Sequence, residues 1–240
     1  MAVAVATVAA TKTARTALLA GATGLVGREL LGLLLADPRY SAVHCVGRRA
    51  PAVAHAKLVN HVIDFSNVAQ LAALPHCDDI YIALGTTIKV AGSQAAFKAI
   101  DHDAVIALAH AQLRTAAAQS VNNNQRIGVV SAMGADATSS VFYNRTKGQM
   151  EAAISALGYA SVGIARPSLL SGDRAALHQA ARVGEQLGLL LMNATRFFIP
   201  ADYKAIAATD VAKALHRLVT ASHSGTRIAL SSQLREMAAT

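Results

Sequence analysis

The sequence predicts an α/β domain whose parallel sheet is doubly wound, with helices on both faces, and three observations predict it. Apolar strand-like runs alternate with longer amphipathic or Ala-rich runs, as successive βαβ units require. A glycine-rich turn, Gly21-Ala22-Thr23-Gly24-Leu25-Val26-Gly27, lies between the apolar residues 16–20 and the amphipathic residues 28–35. The 240 residues, 53% of them hydrophobic, suffice for one substantial core. Residues 1–15 are expected as a loosely held extension and residues 16–240 as the domain, with 167–240 forming a small C-terminal segment that covers the substrate side.

The first unit is strand, glycine turn and helix. Glycines are needed where the chain turns off a buried strand, admits a pyrophosphate to its backbone and brings the helix close to the sheet. The helix start then offers unpaired amides to phosphates. This makes Gly21, Thr23, Gly24, Leu25, Val26 and Gly27 candidate dinucleotide contacts. The spacing is Gly-x-x-Gly-x-x-Gly rather than Gly-x-Gly-x-x-Gly.

Asp37-Pro38 closes the first helix, and residues 42–47 form the second strand, which ends in Arg48-Arg49. An acidic residue at this strand end would accept hydrogen bonds from the adenosine ribose, whereas arginine pairs with a 2′-phosphate. The acid is missing, so Arg48 and Arg49 favour NADP(H) over NAD(H); the alternative is a solvated pair of arginines in a turn. Charge-assisted bonds of this kind contribute about 1.5–3 kcal/mol each.

Residues 57–63 form a third strand, followed by Asp64 and Phe65. Asp64 either reaches the adenine amino group or caps a helix starting near Asn67. Residues 79–84 are a buried fourth strand, and Leu84, Gly85, Thr86 and Thr87 leave it at the carboxyl edge, where ligands collect in open parallel sheets. Residues 89–93 are expected as a loop and 94–118 as one long helix, with Phe97, Ile100, Val105, Ile106, Leu108 and Leu113 facing the core. Asn122-Asn123-Asn124 breaks it. Residues 126–131 make the fifth strand, and a helix capped by Thr138-Ser139-Ser140 starts near Val141.

That helix carries Tyr143 and Lys147, four apart and so on one face, while Ser131 ends the preceding strand. A phenol, with a reference pKa of about 10, is protonated at neutral pH and donates to a developing alkoxide. An adjacent ammonium stabilises the tyrosinate left behind. Lys147 also suits the nicotinamide ribose, and Ser131 a hydrogen bond to the substrate oxygen. The alternative is an exposed tyrosine and lysine at helical spacing.

In the last stretch, residues 159–165 are a sixth strand ended by Pro167, which removes a ladder donor. An apolar helix over 175–192 and a short strand over 197–199 would wall a pocket for a small or hydrophobic carbonyl substrate; His178, Met192, Phe197 and Phe198 receive no role. Thr209-Asp210 caps a helix through Val219, and residues 226–230 are a seventh strand.

The excess of basic over acidic residues gives +8, half of it within the first 49 residues, at the phosphate end. With no basic tract, no Trp and 4% aromatic content, specific nucleic-acid binding is not expected. Cys45 and Cys77 lack metal or redox spacing and read as buried free thiols in a reducing, cytoplasmic setting. No apolar run suits a membrane span, no metal site is indicated, and Met1 to Ala10 lacks the basic start of a secretory signal.

Taken together these features resemble the atypical short-chain dehydrogenase/reductases, and among them the Tat-interacting-protein-like oxidoreductases. The resemblance covers residues 18–170. It is carried by the glycine turn, Val46-Gly47-Arg48-Arg49, Ala83-Leu84-Gly85-Thr86-Thr87, Lys89 with Ala91-Gly92-Ser93, Phe97 with Asp101 and Asp103, Ser131 with Gly134-Ala135-Asp136, Tyr143 with Lys147, and Arg166-Pro167. It implies a Rossmann-type fold that binds NADP(H), with Ser131, Tyr143 and Lys147 as catalytic positions. It further implies that Arg166, Pro167 and Ser168 run past the nicotinamide. The pattern departs where many active reductases carry an Asn that organises a proton-relay water, since this chain reads Ile100-Asp101-His102-Asp103. The expected function is NADP(H)-dependent hydride transfer to or from a small carbonyl or alcohol. The second reading is an NADPH-binding interaction protein that meets a protein partner, or another copy of itself, with little turnover.

Overall fold

In a computed structural model, residues 14–118, 124–171, 200–221 and 223–240 are described. Seven parallel strands form one sheet in the order β3-β2-β1-β4-β5-β6-β9. The strands are β1 (Arg15–Ala20), β2 (Tyr40–Gly47), β3 (Leu58–Val62), β4 (Asp79–Ile82), β5 (Arg126–Val130), β6 (Ser161–Arg166) and β9 (Gly225–Leu230). The order reverses at β1, so β1 and β4 diverge there and open a crevice at their carboxyl ends. Two short strands, β7 (Leu170–Ser171) and β8 (Ile206–Ala207), pair beside it.

Both faces of the sheet are buried, which is why β1 reads Ala17-Leu18-Leu19-Ala20 without polar alternation. Leu19 and Tyr81 face α1 (Leu25–Ala36) and α7 (Ala208–Thr220), meeting Leu30, Leu34, Leu215 and Leu218. Leu18, Ile80 and Ile127 face the opposite layer, meeting Val105 and Leu108 of α5 (Ala104–Ala118) and Ile154 of α6 (Phe142–Ser155). The domain is thus doubly wound, as its alternating runs predict.

At the amino end of the sheet a buried carboxylate ties strands together. Asp79 accepts from Arg126 Nε at 2.7 Å, Arg15 Nη2 at 2.8 Å and Tyr40 Oη at 2.8 Å. Arg15, expected at the end of the extension, therefore opens β1; residues 1–13 lie outside the described residues.

Several local expectations are corrected. Residues 89–93 are not simply a loop: Thr87 caps a short helix α3 (Ile88–Ala91), which ends at Gly92 in the left-handed region. The single helix expected over 94–118 is interrupted, as α4 (Gln94–Lys98), capped by Ser93, passes through a π-helical turn (Ala99–Asp103) into α5. Ile100, expected in the core, is part-exposed on a cleft wall because that turn rotates it outward. Neither Thr138-Ser139-Ser140 nor Thr209-Asp210 supplies a side-chain cap; Val141 and Ala207 occupy the cap positions. The Arg145 guanidinium instead takes the Ser139 and Ser140 carbonyls. The short helix α2 (Val68–Ala72) is capped by Asn67, and α8 (Ser231–Ala239) was not expected. Asn122 and Asn123, the helix over 175–192, the strand over 197–199, and His178, Met192, Phe197 and Phe198 lie outside the described residues.

Candidate active site

The chemistry-bearing residues collect at the carboxyl edge of the sheet. Gly21 follows β1 at φ +92°, and a Cβ there would lie 2.5 Å from the Ala83 carbonyl oxygen at the end of β4. Gly27, in the first turn of α1, packs so closely on the Gly21 carbonyl that no larger residue fits. The turn is closed by the Gly24 amide donating to Gly21 O at 3.0 Å. Gly24 occupies the cap position of α1, so no side chain covers the helix start. Leu25, Val26 and Gly27 are buried. Their contribution to an anion is therefore limited to backbone amides.

Above this turn lies a cleft of about 1400 Å³, large for a small-molecule site of roughly 300–1,000 Å³ and long enough for an extended ligand. Its walls include Gly21, Thr23 and Gly24 from the turn, Arg48 and Arg49 beyond β2, and Asp64 and Phe65 beyond β3. Leu84, Gly85, Thr86 and Thr87 beyond β4 complete it, with Ile100 and Asp103 of the π-helical turn opposite. Eleven sequence-selected positions thus share one cavity, drawn from four loops that the strand order brings together.

Asp64 does not cap α2. It is exposed, and its Oδ1 accepts from the Ser66 amide at 2.9 Å and the Ser66 hydroxyl at 2.8 Å, which holds the carboxyl below its usual range. The acid therefore stands at the cleft edge rather than on the helix. Cys45 also lines the cleft, but burial pushes its thiol up to about 12, so it is no nucleophile at neutral pH. Both cysteines are free and buried.

The walls of this cleft do not include Ser131, Tyr143, Lys147, Arg166, Pro167 or Ser168. Ser131 directly follows β5; its hydroxyl is buried and has no hydrogen-bond partner among the described residues. Tyr143 lies in the first turn of α6, part-exposed, its ring centroid 5.3 Å from that of buried Phe97. Lys147 is one turn further, with its side chain 4% exposed.

Lys147 meets a partner that the motif search did not select as a site residue. Its Nζ is 2.7 Å from Oδ1 of Asp101, which is fully buried in the π-helical turn. That oxygen has no well-aligned hydrogen bond, so the contact is chiefly Coulombic. Oδ2 accepts from the Thr86 amide at 2.9 Å. The cleft wall at Thr86 is thereby joined through Asp101 to the helix of Tyr143. The sequence pointed only to the region Ile100-Asp101-His102-Asp103 as a departure from the resembling reductases, and the fold pairs Asp101 with Lys147.

Arg166 and Ser168 are committed elsewhere. The Arg166 guanidinium donates to Glu151 of α6, and the Ser168 amide and hydroxyl bond Ser231 and the Lys204 carbonyl. These contacts fasten β6 and the following loop to α6 and α8.

No family model matches the chain. Among curated proteins it is similar to protein fmp52, mitochondrial, of Emericella nidulans, 36% identical over 163 residues, which are 65% of this chain and 67% of that protein. It is similar also to FMP52, mitochondrial, of Candida albicans, 30% identical over 199 residues, 80% and 82% of the two chains. Among solved structures it resembles a short-chain dehydrogenase/reductase family oxidoreductase from Burkholderia thailandensis, with a TM-score of 0.68, 20% identity, and coverage of 92% and 93%. It resembles MoeE5 in complex with UDP-glucose and NAD with a TM-score of 0.64, 17% identity, and coverage of 93% and 81%. The fold is that of short-chain dehydrogenase/reductase structures. The expected cytoplasmic location is corrected, because the relatives are named mitochondrial. Buried, separate thiols stay reduced wherever oxidants cannot reach them, so they do not report a compartment.

Proposed function

The chain belongs to the Fmp52 protein family, and from that premise we propose that it is an NADP(H)-dependent oxidoreductase acting on a small carbonyl or alcohol. The observation that carries the proposal is the single cleft that joins the bare start of α1, two arginines beyond β2 and the β4 edge. The close-packed glycines at 21 and 27 make the cradle that a dinucleotide pyrophosphate requires. With Arg48 and Arg49 beside it and no acid at the end of β2, the adenosine end suits a 2′-phosphate. Asp64, Thr86 and Thr87 line the same cleft, which supports Asp64 as the partner of the adenine amino group and the threonines as partners of the diphosphate and nicotinamide ribose.

Bound NADPH would supply a hydride and its electron pair. In the reduction direction Tyr143 would give its phenolic proton to the carbonyl oxygen of the substrate, and the tyrosinate left behind would recover that proton from water. Tyr143 is the general acid or base. Lys147, its charge shared with Asp101, is the proposed partner of the ribose and of the Tyr143 oxygen, and the Ser131 hydroxyl, without a hydrogen-bond partner among the described residues, would orient the carbonyl. Arg166, Pro167 and Ser168 form the loop beside the nicotinamide.

A second reading is favoured by one observation. Lys147 is already engaged by Asp101, which suits a protein that binds NADPH as a structural ligand and meets another protein through its surface. The features shared with the Tat-interacting-protein-like branch, Leu84-Gly85-Thr86-Thr87 and Lys89-x-Ala91-Gly92, fit either reading. The relatives' names support a mitochondrial setting. Steady NADPH oxidation with a panel of aldehydes and ketones, lost in Tyr143→Phe, supports the enzyme; NADPH binding without turnover on any of them supports the second reading.

A further inference from the structure

We infer that Asp101 is a positioning residue that keeps Tyr143 in its proton-donating phenol form, by setting a buried negative charge against Lys147. The inference rests on the roles given to Tyr143 and Lys147 above and adds the residue that tunes them.

An isolated ammonium one helical turn from a phenol stabilises the tyrosinate and so favours the base form. Here the ammonium is not isolated. Asp101 is 0% exposed and lies 2.7 Å from Lys147 Nζ, while the Thr86 amide donates to its other oxygen. Both neighbours present positive charge to the carboxyl group. Gly85 closes the remaining side, where a Cβ would lie 3.6 Å from Oδ1. The Asp101–Lys147 pair is neutral as a unit, and a neutral pair acts on Tyr143 far more weakly than a bare cation would.

The other charges on elements packed about α6 do not replace this one. Arg145 points to the Ser139 and Ser140 carbonyls and lies over the Phe142 ring. Glu151 is paired with Arg166 from β6. Asp136, in the turn beneath Gly148, is held by the Thr138 amide and hydroxyl. In and before the π-helical turn, Asp103 is engaged by Lys98 and His102. His110 and Arg114 of α5 are exposed. Among the described residues, Asp101 is therefore the carboxylate that answers Lys147.

The geometry of the turn accounts for the placement. A regular helix through 94–118 would bring residue 101 round by a further 100° per residue from Phe97; the wider π-helical turn shifts that phase, as such turns often do at functional sites. Asp101 points inward between α6 and the β4 edge, while Ile100 and Asp103 face the cleft. A carboxylate at 101 thus widens, toward alkaline pH, the range in which the site can protonate an alkoxide. It does not alter the equilibrium of the reaction, only the pH range over which reduction proceeds.

The test follows Tyr143 itself. In full-length protein carrying ¹³C-labelled tyrosine, the Tyr143 ring signal is assigned by its loss in Tyr143→Phe and followed from about pH 7 to about pH 12, spanning the reference phenol value. Asp101→Asn is expected to lower the Tyr143 midpoint by about one pH unit, the size of a nearby-charge effect, and Asp101→Glu to restore it toward wild type. An unchanged or raised midpoint in Asp101→Asn overturns the inference. Should Asp101→Asn not fold, Asp101→Ser is read in its place, with a lowered Tyr143 midpoint supporting the inference and an unchanged or raised one overturning it. Neither readout needs a substrate. An absence of turnover would defeat the enzyme reading while leaving the shift intact, and an absent shift with normal turnover would defeat this inference alone.

Discussion

Gly21 and the Ala83 carbonyl approach so closely that a single added methyl would lie 2.5 Å from the oxygen. That contact ties the end of β1 to the end of β4 and shapes the floor of the cleft. Gly21→Ala also forces a side chain to φ +92°. It is expected to cost about 1–3 kcal/mol of stability and to abolish NADPH binding, measured by urea denaturation and by nucleotide fluorescence titration. A stable variant that binds normally would show that the cradle is not the phosphate site.

Replacing Arg48 and Arg49 together by Glu is expected to weaken NADPH by at least roughly ten- to a hundredfold, the value of one charge-assisted bond, and NADH much less. Dissociation constants for both nucleotides check this. Equal losses would remove the 2′-phosphate argument.

Tyr143→Phe is expected to retain NADPH affinity within a few-fold and to lose at least about a hundredfold in kcat/KM, the lower range for a general acid. Ser131→Ala should lower kcat with little change in cofactor affinity. Steady-state kinetics on a reactive aldehyde separate the two effects.

The glycine cradle, the arginines and the succession of strands along the chain were legible because each follows from local rules: periodicity, turn chemistry and a strand end. Eleven of the selected cofactor positions line the cleft for that reason. The Asp101–Lys147 pair was not legible, because it depends on a π-helical turn that no local pattern announced and joins residues 46 apart. Arg166 was selected by motif alone, and the fold shows its guanidinium spent on Glu151. The expectation for 89–93 missed a four-residue helix, which Thr87 caps from the stretch read as leaving the end of β4.

Asp79→Asn is expected to destabilise the domain by about 3 kcal/mol, because it leaves Arg15 and Arg126 without their buried counter-charge. A urea midpoint shift with an unchanged slope would show it.

Stability is expected to fall in two stages on acidification. Burial keeps His44, His61 and His216 below the ordinary imidazole value. Below about pH 6.5 the unfolded chain therefore binds protons that the folded chain resists, and stability declines. Burial opposes the charge on Asp37 and Asp79, yet hydrogen bonds from Arg39 hold Asp37 down to about 2 and those from Arg126 and Arg15 hold Asp79 below its usual range. Their contribution is full above the unfolded carboxylate value of about 4 and is lost as pH falls through the folded values. Chemical denaturation across this range would reveal the two steps. His44→Gln with His61→Gln should shrink the upper step to the share of His216 and leave the lower step unchanged.

The most direct test of the account is calorimetric titration of the full-length protein with NADPH, followed by crystallography of the complex. The account predicts saturable binding at one site, with the 2′-phosphate at Arg48 and Arg49 and the nicotinamide turned toward Tyr143. No uptake of nucleotide, or a nucleotide bound away from the Gly21–Gly27 turn, would contradict it.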